Sequence, residues 1–114
     1  MMILVERRLG ASMPARQVNW RGRSGRFYAL TPERLDSFAL TGNGLHMLAR
    51  GGVPMWVGSA NEVINDAQSR SRFRLALEAA DRAFLVEASE DDLARATTVW
   101  DLEGAEPVSG LSAA

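Results

Sequence analysis

Gly44-Leu45-His46-Met47-Leu48-Ala49-Arg50-Gly51-Gly52-Val53-Pro54-Met55-Trp56-Val57-Gly58-Ser59-Ala60-Asn61-Glu62 is the stretch on which the architecture turns. Two β-prone apolar runs, residues 45–49 and 53–57, flank Arg50-Gly51-Gly52, and paired glycines supply the positive φ values of a tight turn. The pattern predicts a β-hairpin. Pro54 has no N–H to donate, so the second strand is expected at a sheet edge or with that position turned from its neighbour. Ser59 and Glu62 stand at capping-box spacing, where each side chain satisfies an orphan backbone donor of the other. A helix is therefore expected over residues 60–80, broken near Asn65-Asp66, with Phe73, Ala76, Leu77 and Ala80 along its apolar stripe.

Downstream, residues 83–87 read as the last strand. Ser89-Glu90-Asp91-Asp92 repeats the capping logic, with three acids facing the positive end of a helix dipole. The helix that follows, residues 90–101, would put Leu93, Ala96 and Trp100 on one face. Upstream, residues 17–20 and 26–30 are β-prone runs joined by Arg21-Gly22-Arg23-Ser24-Gly25, a second hairpin with a five-residue turn. Residues 2–7 read as a short strand and residues 10–15, with Pro14, as a connection. Thr31-Pro32-Glu33 has the form of a helix start, with a threonine cap, proline at the first helical position and an acid behind it. Leu35, Phe38 and Ala39 would then give about two turns before Gly42-Asn43-Gly44. The expected fold is α+β: a small mixed sheet of about five strands with three helices in one domain over residues 1–103, and a flexible tail over residues 104–114.

At 114 residues the chain has room for one domain. Hydrophobic residues at 46% and charged residues at 24% exclude wholesale disorder. The absence of cysteine excludes disulfide scaffolds, zinc-thiolate sites and thiol catalysis, and with His46 as the one histidine no multi-histidine metal site can form. No metal or cofactor is expected. No apolar run approaches the ~20 residues of a membrane span, and the start of the chain lacks the order of a secretory signal, so a cytoplasmic protein without membrane contact is expected. All 13 basic residues are arginine, a bias that GC-rich coding produces. Residues 1–50 carry eight arginines against three acids, whereas residues 51–114 carry five against eleven, so a net charge of −1 hides a polarised chain. Such polarity means a basic face for an anionic partner, or two halves that interleave and neutralise each other.

The hairpin resembles the signature of the GIY-YIG nuclease fold, which pairs a Gly-aliphatic-Tyr strand with a Tyr-aliphatic-Gly strand about ten residues on, before a capped helix. Gly44-Leu45-His46 stands for the first triplet and Trp56-Val57-Gly58 for the second, and the later order of helix, strand and helix agrees over about 60 residues. The C-terminal two-thirds would then be GIY-YIG-like. The resemblance implies a tyrosine that activates the nucleophile, an arginine on the first helix that holds the scissile phosphate, and a later glutamate that binds a divalent metal. Both tyrosine positions are replaced here. His46 offers an imidazole, the side chain that serves as a general base near neutral pH, whereas the Trp56 indole only donates. Asp66 falls where the arginine belongs, with Arg70 and Arg72 as substitutes further along. Asp101 and Glu103 are nearest to the glutamate. The resemblance therefore implies a core that is degenerate as a nuclease, with His46, Arg70 and Arg72 as its candidate catalytic residues.

Trp20-Arg21-Gly22-Arg23-Ser24-Gly25-Arg26-Phe27-Tyr28 sets arginines on a glycine-rich turn between aromatics. Arg21, Arg23 and Arg26 could hold phosphates while bases stack on Tyr28 and Trp56. The alternative is a solvated hairpin tip whose aromatics enter the core. Arg70 and Arg74 share a helix face with Arg72 pointing away, which also suits a solvated surface. Met47 and Met55 suit core filling or, with Trp56, a contact patch. Two functions are expected: a small module associated with DNA or RNA, or a non-catalytic interaction or assembly subunit of phage-like or mobile-element type that binds itself or a protein partner. Convergence of the turn arginines with His46, Arg70 and Arg72 in one groove favours the first; dispersal favours the second.

Overall fold

The structure, a computed structural model, describes residues 16–40, 44–88 and 90–108. Two hairpins and one returning strand build its sheet. β1 (Val18–Arg21) pairs with β2 (Phe27–Glu33), and β3 (Leu45–Arg50) pairs with β4 (Val53–Gly58). β5 (Arg82–Val86) joins the hairpins by pairing with both β3 and β2, and β6 (Glu106–Pro107) adds to β1. The order is β4-β3-β5-β2-β1-β6 with every ladder antiparallel, so the expected mixed sheet is an antiparallel one of six strands. Helices α1 (Ala60–Asn65), α2 (Ala67–Ala79) and α3 (Asp92–Glu103) complete a compact α+β domain. The sheet curls: a Cβ on Gly52, in the β3–β4 turn, would lie 3.3 Å from Pro107 on β6 at the opposite edge.

Alternation along the strands divides the interior into two layers. One face gathers Trp20, Leu30, Met47, Val57 and Phe84 against Leu102 of α3 and the following Ala105. Leu48, Trp56 and Ala83 on the other face pack against Ala76 of α2, with Phe38, Val63 and Phe73 half-buried around them. The β3–β4 turn is tight because Gly51 takes φ +56°, which a β-carbon disfavours. Ser59 and Glu62 form the expected capping box, the Ser59 N–H donating to Glu62 Oε1 at 3.0 Å. The helix break also falls where expected, since Asp66 ends α1 and then caps α2 by accepting from the Ser69 N–H. β4, carrying Pro54, is the edge strand.

Three expectations need correction. Thr31-Pro32-Glu33 starts no helix; it continues β2, with Thr31 opposite Leu85, Pro32 opposite Phe84 and Glu33 opposite Ala83. Local capping preference is worth about 1 kcal/mol and yields to a whole ladder of strand pairing. The β1 register stops at Leu30, so among the described residues no strand pairs with Pro32 on that side, which suits a residue without an N–H. Only a 3₁₀ turn, Leu35–Ser37, follows. The second correction concerns α3, which starts at Asp92 with Asp91 as its cap, the Asp91 carboxylate accepting from the Ala94 N–H at 2.9 Å. Leu93 and Trp100 are 76% and 51% exposed, and the helix instead buries Asp101 and Leu102. Third, ordered structure passes residue 104: Ala105 is buried, β6 pairs with β1, and the Val108 N–H donates to the Asn19 carbonyl at 2.9 Å. The expected strand over residues 2–7, the connection over 10–15 and the Ser89 cap lie outside the described residues. Among the described residues no helix is long and apolar enough to cross a membrane.

Candidate functional site

The arginine turn is fastened from below. Asp101, on the last turn of α3, is 2% exposed and accepts the Ser24 N–H at 2.6 Å, the Ser24 hydroxyl at 2.7 Å and the Tyr28 hydroxyl at 2.7 Å. Its backbone carbonyl accepts the Arg23 N–H at 3.0 Å. Gly22 makes room for this: a Cβ there would lie 2.5 Å from the Asp101 carboxyl carbon. Burial alone would raise the Asp101 carboxyl, but the Ser24 and Tyr28 hydrogen bonds and the Arg26 charge outweigh it and hold the group below the usual carboxylate range. Tyr28 moves the other way. Burial, then the hydrogen bond to Asp101 and its charge, push the phenol up to about 12.

The turn arginines are engaged as well. Arg21 is ion-paired with Glu106, Arg23 lies 4.8 Å over the Trp100 ring and donates to the Trp100 carbonyl at 3.1 Å, and Arg26 lies 5.7 Å over the Tyr28 ring. Exposed pairs of this kind are each worth about 1 kcal/mol or less. The dominant link between turn and helix is the buried carboxylate.

His46 occupies a different place. It is wholly buried on β3 opposite Gly58 and Leu85, with Phe38 set edge-on 5.4 Å from its ring. Its Nδ1 meets Glu33 Oε1 at 2.9 Å, while the buried Nε2 has no hydrogen-bond partner among the described residues. An imidazole enclosed in this way cannot reach a solvent-borne phosphodiester. Trp56, 8% exposed, packs edge-on to Phe73 at 4.9 Å between centroids and offers no open stacking face. Arg70 donates to the Val63 and Ile64 carbonyls at 3.0 and 3.3 Å and so closes the C-terminal end of α1. Arg72 faces a cleft of about 330 Å³ beside β4, shared with Trp56, Glu62 and Glu103, whereas Arg26 and Tyr28 line a second hollow with Glu87 and Asp91. The fold thus brings Arg72, Trp56 and Glu103 together, and leaves His46, Arg70 and the turn arginines elsewhere.

Sequence reasoning missed two structural partners. The resemblance sets Asp101 nearest to a metal-binding glutamate, but both of its carboxylate oxygens are held by the turn. Glu33 lies 13 residues before His46 in a stretch with the form of a helix start, so no local pattern points to their meeting. No protein-family model, curated protein or solved structure matches the chain.

Proposed function

We propose that this chain is a non-catalytic binding module that works by holding a protein partner. One observation carries the reading: the groups that nucleic-acid chemistry would use do not converge on one surface, because the turn arginines, Arg70 and His46 each meet partners of the fold in separate places. Asp101 and Trp100 hold the arginine turn, Arg70 caps a helix, and His46 is enclosed with Glu33. The cleft that does collect candidate residues contains Glu62 and Glu103 beside Arg72, and carboxylates there repel a phosphate backbone. A degenerate GIY-YIG-like core suits such a module, and the order hairpin, helix pair, strand, helix over residues 44–103 supports that kinship.

The test is reconstitution. Tagged full-length chain is used to retrieve partners from nuclease-treated extract of its source cells, and the complex is then rebuilt from purified components. Light scattering should show a defined stoichiometry. A second reading, association with DNA or RNA, is favoured by the exposure of Arg21, Arg23 and Arg26 on one turn. It predicts retardation of duplex DNA or RNA at low salt with a log–log salt slope near −2 to −3, as about three phosphate contacts give. Such a slope, with no protein partner rebuilt, overturns the proposal.

A further inference from the structure

Helix α3 carries an amphipathic pattern that the described residues leave uncovered. Leu93, Ala96, Thr97 and Trp100 stand at i, i+3, i+4 and i+7 on one side of the helix, and all four are exposed. The opposite side gives Val99 and Leu102 to the core. Phe27, also exposed, borders the same hollow as Leu93 and Thr97 and widens the apolar surface. Two polar contacts prepare this surface for burial. Arg23 lies 4.8 Å over the Trp100 ring and donates to the Trp100 carbonyl, which holds the two side chains together. The Thr97 hydroxyl donates to the Leu93 carbonyl at 3.0 Å, so covering it leaves no hydroxyl donor unpaired.

Charge at the two ends of the stripe selects what covers it. Glu90 and Asp92, both exposed, flank Leu93 at the N-terminal end. Arg23 stands beside Trp100 at the C-terminal end, exposed and paired with no carboxylate among the described residues. A second α3 laid antiparallel across the first sets the acids of each copy beside the Arg23 of the other, twice by symmetry, and opposes the two helix dipoles. A parallel pairing would bring acid against acid and arginine against arginine. Ala96 and Thr97, midway between the two large side chains, are small enough for the helix axes to approach to about 8–10 Å, so Leu93 meets Trp100 of the second copy. We propose that the exposed stripe of α3 is a two-fold interface whose occupant is a second copy of this chain. The proposal goes beyond the binding-module reading, which concerns a different protein and is decided separately by its own reconstitution.

Sedimentation velocity of the intact chain from about 1 µM to 1 mM should show a monomer–dimer equilibrium that loosens as salt rises, because the end charges lie at the rim. Leu93→Glu and Ala96→Glu, both at exposed positions, should each raise the dimer dissociation constant at least about tenfold by setting a charge in the contact. Circular dichroism and urea melts of the dilute monomers should match those of the parent chain. The sequence contains no cysteine, so single introduced thiols report the orientation. Ala96→Cys, next to the two-fold axis, should oxidise to a disulfide-linked dimer. Leu93→Cys should not, since at 1.5 Å per residue it lies about 10 Å along the axes from its counterpart. A monomer at every concentration hands the stripe to another protein or to residues outside those described, and overturns the proposal. A dimer indifferent to both glutamate substitutions, no cross-link through Ala96→Cys, or ready cross-linking through Leu93→Cys overturns it as well.

Discussion

Tyr28 is the one tyrosine in the chain, so its ionisation can be read alone by phenolate absorbance. In the folded protein its hydroxyl donates to Asp101 at 2.7 Å, and burial together with that carboxylate pushes its pKa from 10 up to about 12. A shift of two units corresponds to at most about 2.7 kcal/mol; solvent screening of a half-buried ring reduces this to about 1–1.5 kcal/mol. The folded value lies above the unfolded one, so this stabilisation is complete below pH 10 and disappears as pH rises from there towards 12. Titration between pH 8 and 13, with near-ultraviolet circular dichroism to follow the folded population, should give a midpoint near the upper value, and near 10 for the chain in concentrated urea. Asp101→Asn keeps the shape and removes the charge, so the midpoint should move part of the way back while burial continues to hold it up. A folded-state midpoint equal to that in urea would refute the Tyr28–Asp101 contact and the anchoring of the turn with it.

Gly22→Ala drives a β-carbon into the Asp101 carboxyl group and should lower the unfolding free energy by about 2–4 kcal/mol in urea melts; an unchanged midpoint means the turn does not rest on α3. Glu33→Ala leaves both ring nitrogens of His46 unpartnered and should cost about 1–3 kcal/mol, whereas the pair Glu33→Leu with His46→Leu should recover most of the loss. Equal destabilisation by single and double variants would count against a buried Glu33–His46 pair. Acid adds a further trend. The folded Asp101 pKa is depressed, so its contribution is present above the ordinary carboxylate range and fades as pH falls through the folded value, and Asp101→Asn should flatten the acid limb of stability against pH. Arg70→Ala removes two carbonyl contacts at the end of α1 and should cost about 1 kcal/mol in the same melts, without loss of partner binding.

Wherever a signal is confined to a few neighbouring residues, the sequence is a good guide to this protein. Gly51-Gly52 bends the second hairpin, Ser59 and Glu62 open α1, Asp66 separates α1 from α2, and Pro54 marks an edge strand. Glycine torsions, side-chain caps and a missing N–H act within four residues, so no distant contact is needed to foresee them. The assignments that changed depend on partners far along the chain. Thr31-Pro32-Glu33 joins a strand because β5, far along the chain, lies beside it with Thr31 opposite Leu85 and Glu33 opposite Ala83. Leu93 and Trp100 face solvent because burial of Asp101 under the turn over residues 22–28 sets the rotation of α3. The roles of His46 and the arginines follow the same rule, since a titratable or charged group acquires its chemistry from its burial and from whichever carboxylate, ring or carbonyl the fold places against it. Local torsions are written in neighbouring residues; the field around a side chain exists only once strands from both halves of the chain have closed around it.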